Sequence, residues 1–299
     1  MQIFVTGGTG VLGRRVVPLL VACGHDVNGL ARTDAKARQL AAQGADPVVA
    51  SMFDAEAMQK AVAGHDAVLN LATNIPSGLA AGTRRGWRTN DRIRAEGSKI
   101  MTEAARASGV GRFVQESIAF PYADAGDEWI DEQREIQHHW GTRAASMAEE
   151  HTVRFAADAG QGVVLRFAMF VADDSAHQSM FAAATNRGWF PLPGPVDSYF
   201  SMVDIGDAAT AVVSALDAPS GIYNVAEDQP ATRGELSAAM AGTVGRDRLR
   251  RIPDRLVALG GAPARAMMRS LRIANRQLRD TTSWRPEVPC VAAQWPRYG

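Results

Sequence analysis

Cysteine and lysine are the residue types that this sequence uses least. Its 299 residues include only two cysteines, Cys23 and Cys290. Two cysteines exclude a disulfide framework and a zinc site built from cysteine, so we expect a reducing, cytoplasmic location and no bound metal. The lysines are Lys36, Lys60 and Lys99, and no lysine follows them. A reaction that requires a lysine in the later part of the chain is therefore excluded.

A long apolar run and an excess of one charge are also missing. The most apolar stretch, residues 162–172, contains Arg166 and is shorter than the roughly 18 residues that a membrane helix needs. The 32 basic residues balance 32 acidic ones, which argues against nucleic acid as the main partner. Residues 1–8 carry neither a charged leader nor a cleavage site. We expect a small-molecule partner, no nucleic acid and no membrane, and the oligomeric state stays open.

Short apolar segments alternate with helical patterns along most of the chain. Residues 2–6 predict a strand, and residues 12–22, after a glycine-rich turn, place apolar residues at helical spacing. Further strands are predicted at 26–31, 47–50, 67–72, 111–115, 162–167 and 222–225, and further helices at 35–43, 55–63, 90–108, 142–159 and 201–218. This alternation predicts an α/β fold, a doubly wound parallel sheet with helices on both faces.

The alternation weakens after residue 172, where a stretch rich in proline and glycine begins. We interpret residues 1–172 as one domain and 173–299 as a smaller C-terminal region, from which residues 201–226 return to the main sheet. Four aromatic residues flank the PLPGP loop of this region. They are Trp189, Phe190, Tyr199 and Phe200. They favour an apolar substrate, and the alternative is that they pack the loop itself.

Three glycines at regular spacing join the first strand to the first helix. Gly7, Gly10 and Gly13 form G-x-x-G-x-x-G, which lets the backbone turn tightly and approach a pyrophosphate at the start of the helix. The alternative is an ordinary strand-to-helix turn. The predicted dinucleotide contacts in this loop are Gly7, Thr9, Gly10, Val11, Leu12 and Gly13.

Several longer motifs resemble the extended or atypical short-chain dehydrogenase/reductase family, and especially its NAD-dependent epimerase/dehydratase branch. They are TGGTGVLG at 6–13, NLAT at 70–73, GVGRFVQES at 109–117, VDIGDAA at 203–209, IYNVAED at 222–228 and T-x-W-R-P at 282–286. The resemblance covers nearly the whole chain. It implies a Rossmann-type domain with a smaller C-terminal substrate-binding region. It also implies that Ser51 and Met52 border the adenine, and that Leu71, Ala72 and Thr73 run beneath the ribose and nicotinamide.

The end of the second predicted strand indicates which dinucleotide is bound. An acidic residue there would accept the ribose hydroxyls of NAD, whereas an arginine would pair with the extra phosphate of NADP. Arg32 stands at the strand end, with Asp34 two residues later and Lys36 as support. We therefore predict NADP over NAD, and the alternative is that Arg32 is a solvated loop residue.

The resemblance also identifies what the active site lacks. Most members of the family use a Tyr-x-x-x-Lys pair, in which the lysine lowers the pKa of the tyrosine, together with a serine or threonine on the preceding strand. Here Trp140 occupies the tyrosine position and Ala144 the lysine position, within one residue. Arg143 lies nearby, but guanidinium does not titrate in this range. Aligned on Tyr122, the serine position falls on Ile118 rather than Ser117.

Five side chains remain as candidates for catalysis, namely Thr73, Ser117, Tyr122, His138 and His139. We expect that Tyr122 either contacts substrate or packs within its loop. The two histidines either supply a titratable group or cap the start of a helix. Thr73 bonds a substrate carbonyl or satisfies a turn. Glu116 is interpreted as a salt-bridge partner of an arginine rather than a base.

Arginines are concentrated in the C-terminal region. Arg265, Arg269, Arg272, Arg276 and Arg279 recur at spacings that place them on one face of a helix. This face is either solvated or in contact with a partner, or it clamps an anionic substrate.

The leading prediction for the whole chain is an atypical reductase that binds NADP(H) and acts on a small, apolar metabolite. The alternatives are a non-redox isomerase, cyclase or lyase, and a non-catalytic dinucleotide sensor.

Overall fold

A computed structural model describes residues 1–76 and 78–298. Seven strands form one parallel sheet in the order β10-β7-β5-β4-β1-β2-β3, which confirms the predicted doubly wound α/β fold. The strands are β1 (Gln2–Thr6), β2 (Asp26–Ala31), β3 (Asp46–Val49), β4 (Ala67–Asn70), β5 (Arg112–Ile118), β6 (Trp129–Ile130), β7 (Gln161–Phe167), β8 (Met169–Val171), β9 (Met202–Asp204), β10 (Gly221–Val225) and β11 (Arg272–Ile273). Strands β6 and β11 pair with each other, as do β8 and β9.

Helices cover both faces of the sheet. They are α1 (Gly13–Ala22), α2 (Asp34–Ala42), α3 (Ala55–Val62), α4 (Arg84–Arg92), α5 (Ser98–Ala107), α6 (Arg143–Asp158), α7 (Ala176–Asn186), α8 (Ile205–Ser214), α9 (Arg233–Thr243), α10 (Asp254–Val257), α11 (Gly261–Met267) and α12 (Arg276–Thr281). Within the described part of the chain, none of these helices has the length and apolar character to cross a membrane.

The sheet is buried on both sides because its strands alternate their side chains between two cores. Ile3 and Val5 of β1 join the core beneath α1 and α8, whereas Phe4 joins the core beneath α3, α5 and α6. A third core lies in the C-terminal region around Phe190, Phe200 and Trp295. The glycine-rich turn and the loops after β4, β5 and β7 all lie at the carboxyl edge of the sheet, where this fold binds its ligands.

Two predicted helices were wrong in their extent. The helix predicted at 90–108 begins at Arg84, because Thr83 caps it by accepting a hydrogen bond from the backbone N–H of Gly86. A π-helical turn at Ile93–Gly97 then separates α4 from α5. The helix predicted at 201–218 is strand β9 followed by α8, because Asp204 caps α8.

The predicted arginine face was also wrong, because no single helix carries the five arginines. Arg265 lies in α11, Arg272 in β11, and Arg276 and Arg279 in α12. Arg269 lies in the turn between α11 and β11, and Arg279 forms an ion pair with Asp228 at 2.9 Å. Ser270, between α11 and β11, is buried and bonds the loop at 124–126, which ends the helical run.

Candidate functional site

The glycine-rich turn brings the end of β4 against the start of α1. Gly7 has a φ of +72°, and a Cβ there would lie 2.5 Å from the carbonyl oxygen of Leu71. A Cβ on Gly13 would lie 2.6 Å from Cα of Gly8. At Gly10 a Cβ would have one neighbour within 4 Å, the carbonyl oxygen of Gly7 at 3.2 Å, so the turn is open on this side.

The start of α1 carries no side-chain cap. Its N-cap residue Leu12 provides no side-chain hydrogen bond, no acidic residue lies in the first turn, and the backbone N–H groups of Arg14 and Arg15 are bonded to the carbonyl oxygens of Gly10 and Leu12. The positive end of the helix dipole, without a carboxylate beside it, favours an anion at this position. The open side at Gly10 and this uncapped helix start therefore fit the pyrophosphate of a dinucleotide.

Arg32 lies directly after β2 and is exposed. No carboxylate of residues 1–76 or 78–298 lies within salt-bridge distance of its guanidinium. The next residue, Thr33, caps α2 by accepting a hydrogen bond from the backbone N–H of Lys36 at 3.3 Å. Asp34 begins the helix, where its charge favours the dipole. Arg32 is thus the cation at this strand end that is available to a ligand phosphate.

The residues expected around the adenine and nicotinamide lie at the same edge. Ser51 is exposed, and its Oγ accepts a hydrogen bond from the backbone N–H of Phe53. Met52 is buried against Gly97. Leu71 is buried beside Gly7, Ala72 is half-buried and Thr73 is exposed.

A buried chain of hydrogen bonds fixes the strand ends, and the sequence analysis did not find it. Oγ1 of Thr6 donates to Oδ1 of Asn70 at 2.6 Å, and Nδ2 of Asn70 donates to Oε1 of Gln115 at 2.8 Å. The chain therefore crosses β1, β4 and β5 just below the candidate site. Its sequence signal is a polar residue at the end of β1 and of β4, together with Gln115 in the middle of β5.

Two of the catalytic candidates have structural positions instead. Tyr122 has no exposed surface, and its hydroxyl is paired to Asn224 and Arg166. Burial raises the pKa of Tyr122 to about 12. Ser117 is also fully buried, and its Oγ donates to Oε1 of Glu149 at 2.5 Å. The expectation that Tyr122 contacts substrate is therefore corrected, since both hydroxyls are enclosed and bonded to protein.

Glu116 forms the ion pair expected of it. Nη2 of Arg94, from the π-helical turn, lies 2.7 Å from Oε2 of Glu116, and both side chains are buried. Burial raises the pKa of Glu116, and the adjacent guanidinium opposes that shift. This pair explains why the π-helical turn is needed, because the turn carries Arg94 to the end of β5.

The two histidines face different surroundings although they are adjacent. His138 is exposed, and its Nε2 lies 3.2 Å from Oγ of Ser146 beside an open cavity of ≈ 360 Å³ that also contacts Glu149 and Arg166. His139 is half-buried, and its Nδ1 accepts a hydrogen bond from the backbone N–H of Gly141. Burial lowers the pKa of both imidazoles.

Trp140 belongs to an aromatic cluster that the sequence analysis missed. Its ring meets Trp87 edge to face with centroids 6.4 Å apart, and His139 is also edge to face at 6.0 Å. The side chain of Ala144 is buried in the first turn of α6. Neither the indole of Trp140 nor the methyl group of Ala144 transfers protons near neutral pH.

A small apolar pocket lies between the strand ends and the C-terminal region. Ala119 and Phe120 follow β5, Ala168 follows β7, and Phe200 and Leu271 close the pocket from the other side. The rings of Phe120 and Phe200 lie 6.1 Å apart. Of the four aromatics near the PLPGP loop, Phe200 lines this pocket, Phe190 is buried in the C-terminal core, and Trp189 is 40% exposed.

The more distant motifs stabilise the fold. Nε1 of Trp284 donates to the carbonyl oxygen of Asp207 at 3.0 Å, and the carboxylate of Asp207 accepts from the backbone N–H groups of Glu287 and Val288. The segments 203–209 and 282–286 therefore hold each other. The C-terminal tryptophan motif is a packing element of the core.

Comparison with known proteins identifies the family. Residues 7–179 match the sequence profile of the NAD(P)H-binding family. A 3-diazoavenalumate denitrifying reductase from a Streptomyces species is 30% identical over 302 residues, which cover 97% of this chain and 97% of that protein.

Solved structures share the fold at lower identity. The human epimerase family protein SDR39U1, solved with NADPH, has a TM-score of 0.79 at 19% identity. The match covers 100% of this chain and 99% of the human chain. The UDP-glucose 4-epimerase of Thermus thermophilus, solved with NAD, has a TM-score of 0.76 at 21% identity. The match covers 96% of this chain and 94% of the epimerase chain. The matched profile shows that the chain belongs to the NAD(P)H-binding family, and the solved structures share its fold.

Proposed function

We propose that this protein is an NADP(H)-dependent reductase whose substrate accepts a hydride without a proton from the enzyme. The proposal rests on Trp140, which precedes α6, and Ala144 in its first turn, because the resemblance to the family implies that they stand where its tyrosine and lysine would be. The relative that aligns along nearly all of both chains is also named as a reductase, which supports redox chemistry.

The reduced dinucleotide, when bound, supplies a hydride. Carbonyl reduction also consumes a proton, because the alkoxide that forms must be neutralised. A diazo group in its diazonium form does not have this requirement. One hydride replaces N₂ on the carbon, so an arenediazonium ion and a hydride give the arene and N₂, and charge and atoms balance. The Streptomyces relative is named as a denitrifying reductase of a diazo compound, which supports this substrate class.

The residues of this chain then have positioning roles. The turn at Gly7–Gly10–Gly13 and the start of α1 hold the pyrophosphate, with Thr9, Val11 and Leu12 in the same turn. Arg32 pairs with the 2′-phosphate, which favours NADP over NAD. Thr73 lies after β4, beside the expected position of the nicotinamide.

The test uses NADPH deuterated at C4 and a stable arenediazonium salt. We expect loss of the nicotinamide absorbance, one N₂ released per NADPH, and deuterium on the ring carbon that carried nitrogen. Reactions without protein, and with a Gly10→Val variant, measure the background. NADPH consumption that does not exceed this background would refute the proposed reaction.

The missing proton-transfer pair also favours a second candidate, a non-redox enzyme or dinucleotide sensor on the same fold. In that case NADPH binds without being consumed by any substrate. Deuterium transfer therefore separates the two candidates.

A further inference from the structure

We propose that Trp87, His139 and Trp140 form a subsite for the aromatic ring of a carboxylic acid substrate, with Arg269 as the partner of its carboxylate. The proposal rests on the proposed function, because it names the class of molecule that the reductase site takes. It extends the site from the dinucleotide turn to the segment that precedes α6.

The first step is the position of the aromatic cluster. The backbone N–H of Asn74, four residues past β4, donates to Oδ1 of Asn90 in α4 at 3.0 Å. Trp87 lies one turn before Asn90 on the same helix face. Trp87 therefore lies on the helix that contacts the loop after β4, near the carboxyl edge of the sheet where the nicotinamide is expected.

The second step is that contacts within the cluster hold its rings in fixed positions. Nε1 of Trp87 donates to the carbonyl oxygen of Ala81 at 2.8 Å, which fixes the indole. A Cβ on Gly141 would lie 3.1 Å from Cε1 of His139 and 3.6 Å from Cδ2 of Trp87, so glycine lets the rings approach. All three rings are only half-buried. Fixed and partly exposed indoles are suited to stacking against a flat ring.

The third step is the charge beside the cluster. Nη1 of Arg269 donates to the carbonyl oxygens of Pro121, Tyr122 and Gln137 at 3.4, 3.0 and 3.1 Å. Its Nε and Nη2 make no hydrogen bond to another residue of the described chain, and no carboxylate there lies within salt-bridge distance.

The charge of Arg269 acts on the cluster itself. The pKa of His139 is lowered by burial, and the charges of Arg269 and His138 lower it further. The acidic residue that acts on Arg269 is Asp124, but its oxygens accept from the backbone N–H groups of Gly126 and Ser270. Because the carboxylate of Asp124 is already bonded to backbone N–H groups, the guanidinium of Arg269 is the group beside the cluster that attracts an anion, and a carboxylate fits its donor geometry.

The experiment measures binding to the NADP⁺-loaded protein, so it does not depend on turnover. Indole fluorescence is titrated with 4-hydroxycinnamate, with 4-hydroxycinnamamide and with an aliphatic acid of similar size. We expect the aromatic acid to bind roughly 10- to 100-fold more tightly than its amide, because a charge-assisted contact is lost, and more tightly than the aliphatic acid. Equal affinity for acid and amide would overturn the role of Arg269.

Variants then assign the contributions. Trp140→Ala should weaken binding of the aromatic acid at least tenfold, whereas Trp140→Phe should keep most of it. Arg269→Gln should remove the preference for acid over amide, and melting curves show whether the variant is folded. Unchanged binding by Trp140→Ala would overturn the subsite. If the ligands bind as expected but no deuterium is transferred, the subsite stands and the proposed reductase function fails.

Discussion

The hydroxyl of Tyr122 donates a hydrogen bond to Oδ1 of Asn224 and accepts one from Nη1 of Arg166, both at 2.8 Å. Arg166 continues to Glu149 with a 2.6 Å ion pair, and Glu149 accepts from Ser117. One buried network therefore joins β5, α6, β7 and β10. Every member is bonded, and removal of the Tyr122 hydroxyl would leave Oδ1 of Asn224 without its donor.

Tyr122→Phe should lower stability without removing dinucleotide binding. The change leaves Oδ1 of Asn224 and Nη1 of Arg166 without their hydroxyl partner, at a cost of about 1–3 kcal/mol in unfolding free energy. Urea unfolding measures this loss, and titration with NADP⁺ measures affinity. Tyr223→Phe is the matched control, since the hydroxyl of Tyr223 lies outside this network and donates to the carbonyl oxygen of Pro219. Parent-like stability of Tyr122→Phe would contradict the structural role.

Gly10→Val and Gly13→Val should fail in different ways. At Gly10 the side chain projects to the open side of the turn, so the protein should fold but lose dinucleotide binding. At Gly13 the side chain would overlap the backbone of Gly7 and Gly8, so the fold itself should be lost. Circular dichroism and calorimetric titration distinguish these results. A Gly10→Val protein that binds NADP⁺ like the parent would refute the pyrophosphate assignment.

Arg32→Ala should weaken NADP⁺ and leave NAD⁺ unchanged. Loss of a charge-assisted contact to phosphate costs about 1.5–3 kcal/mol, or roughly 10- to 150-fold in affinity. Arg38→Ala is the matched control, because Arg38 is an exposed arginine of α2, the helix that follows Arg32, and its loss changes the net charge by the same amount. If both dinucleotides lose affinity equally, Arg32 does not read the 2′-phosphate.

Glu227 should make the protein less stable as pH rises. Burial raises its pKa to about 8, although the backbone N–H groups of Val291 and Met202 bond the carboxylate and oppose the shift. Between the unfolded value of 4.5 and about 8, the folded protein keeps a proton that the unfolded chain releases. The stabilisation is therefore complete at acidic pH and is lost as pH approaches the folded pKa, by up to about 1.4 kcal/mol per pH unit.

Glu227→Gln should remove this slope, since an amide does not titrate. Denaturant unfolding at several pH values within the window compares the variant with the parent. A parent slope that persists in Glu227→Gln would assign the pH dependence to other groups.

The sequence predicted the parallel sheet and the glycine turn because both have local signals. Strand β2 was predicted with its observed bounds, and α1 within one residue, since apolar spacing and glycines mark them. The start of α4 was missed because its sequence, RRGWRTNDR, is almost entirely polar and its signal is the cap Thr83.

The candidate site was harder to predict because it depends on tertiary contacts. Nothing in the local sequence shows that Trp87 meets Trp140, or that Tyr122 points toward Asn224 in a strand a hundred residues later. The arginine spacing predicted one helix, but the buried Ser270 and the pairing of β11 with β6 interrupted it. Periodicity describes one element at a time, whereas these contacts join separate elements.

The strand order has a consequence for how the chain folds during synthesis. Starting from β1, strands β2 and β3 extend the sheet on one side, and β4, β5, β7 and β10 extend it in turn on the other. Each strand therefore emerges from the ribosome after the neighbour on which it docks, and none has to insert between two that are already paired. Strands β1 to β5, together with the glycine turn, are complete before the second half of the protein exists. The growing chain can thus accumulate native structure vectorially, with the C-terminal region added last to an existing sheet.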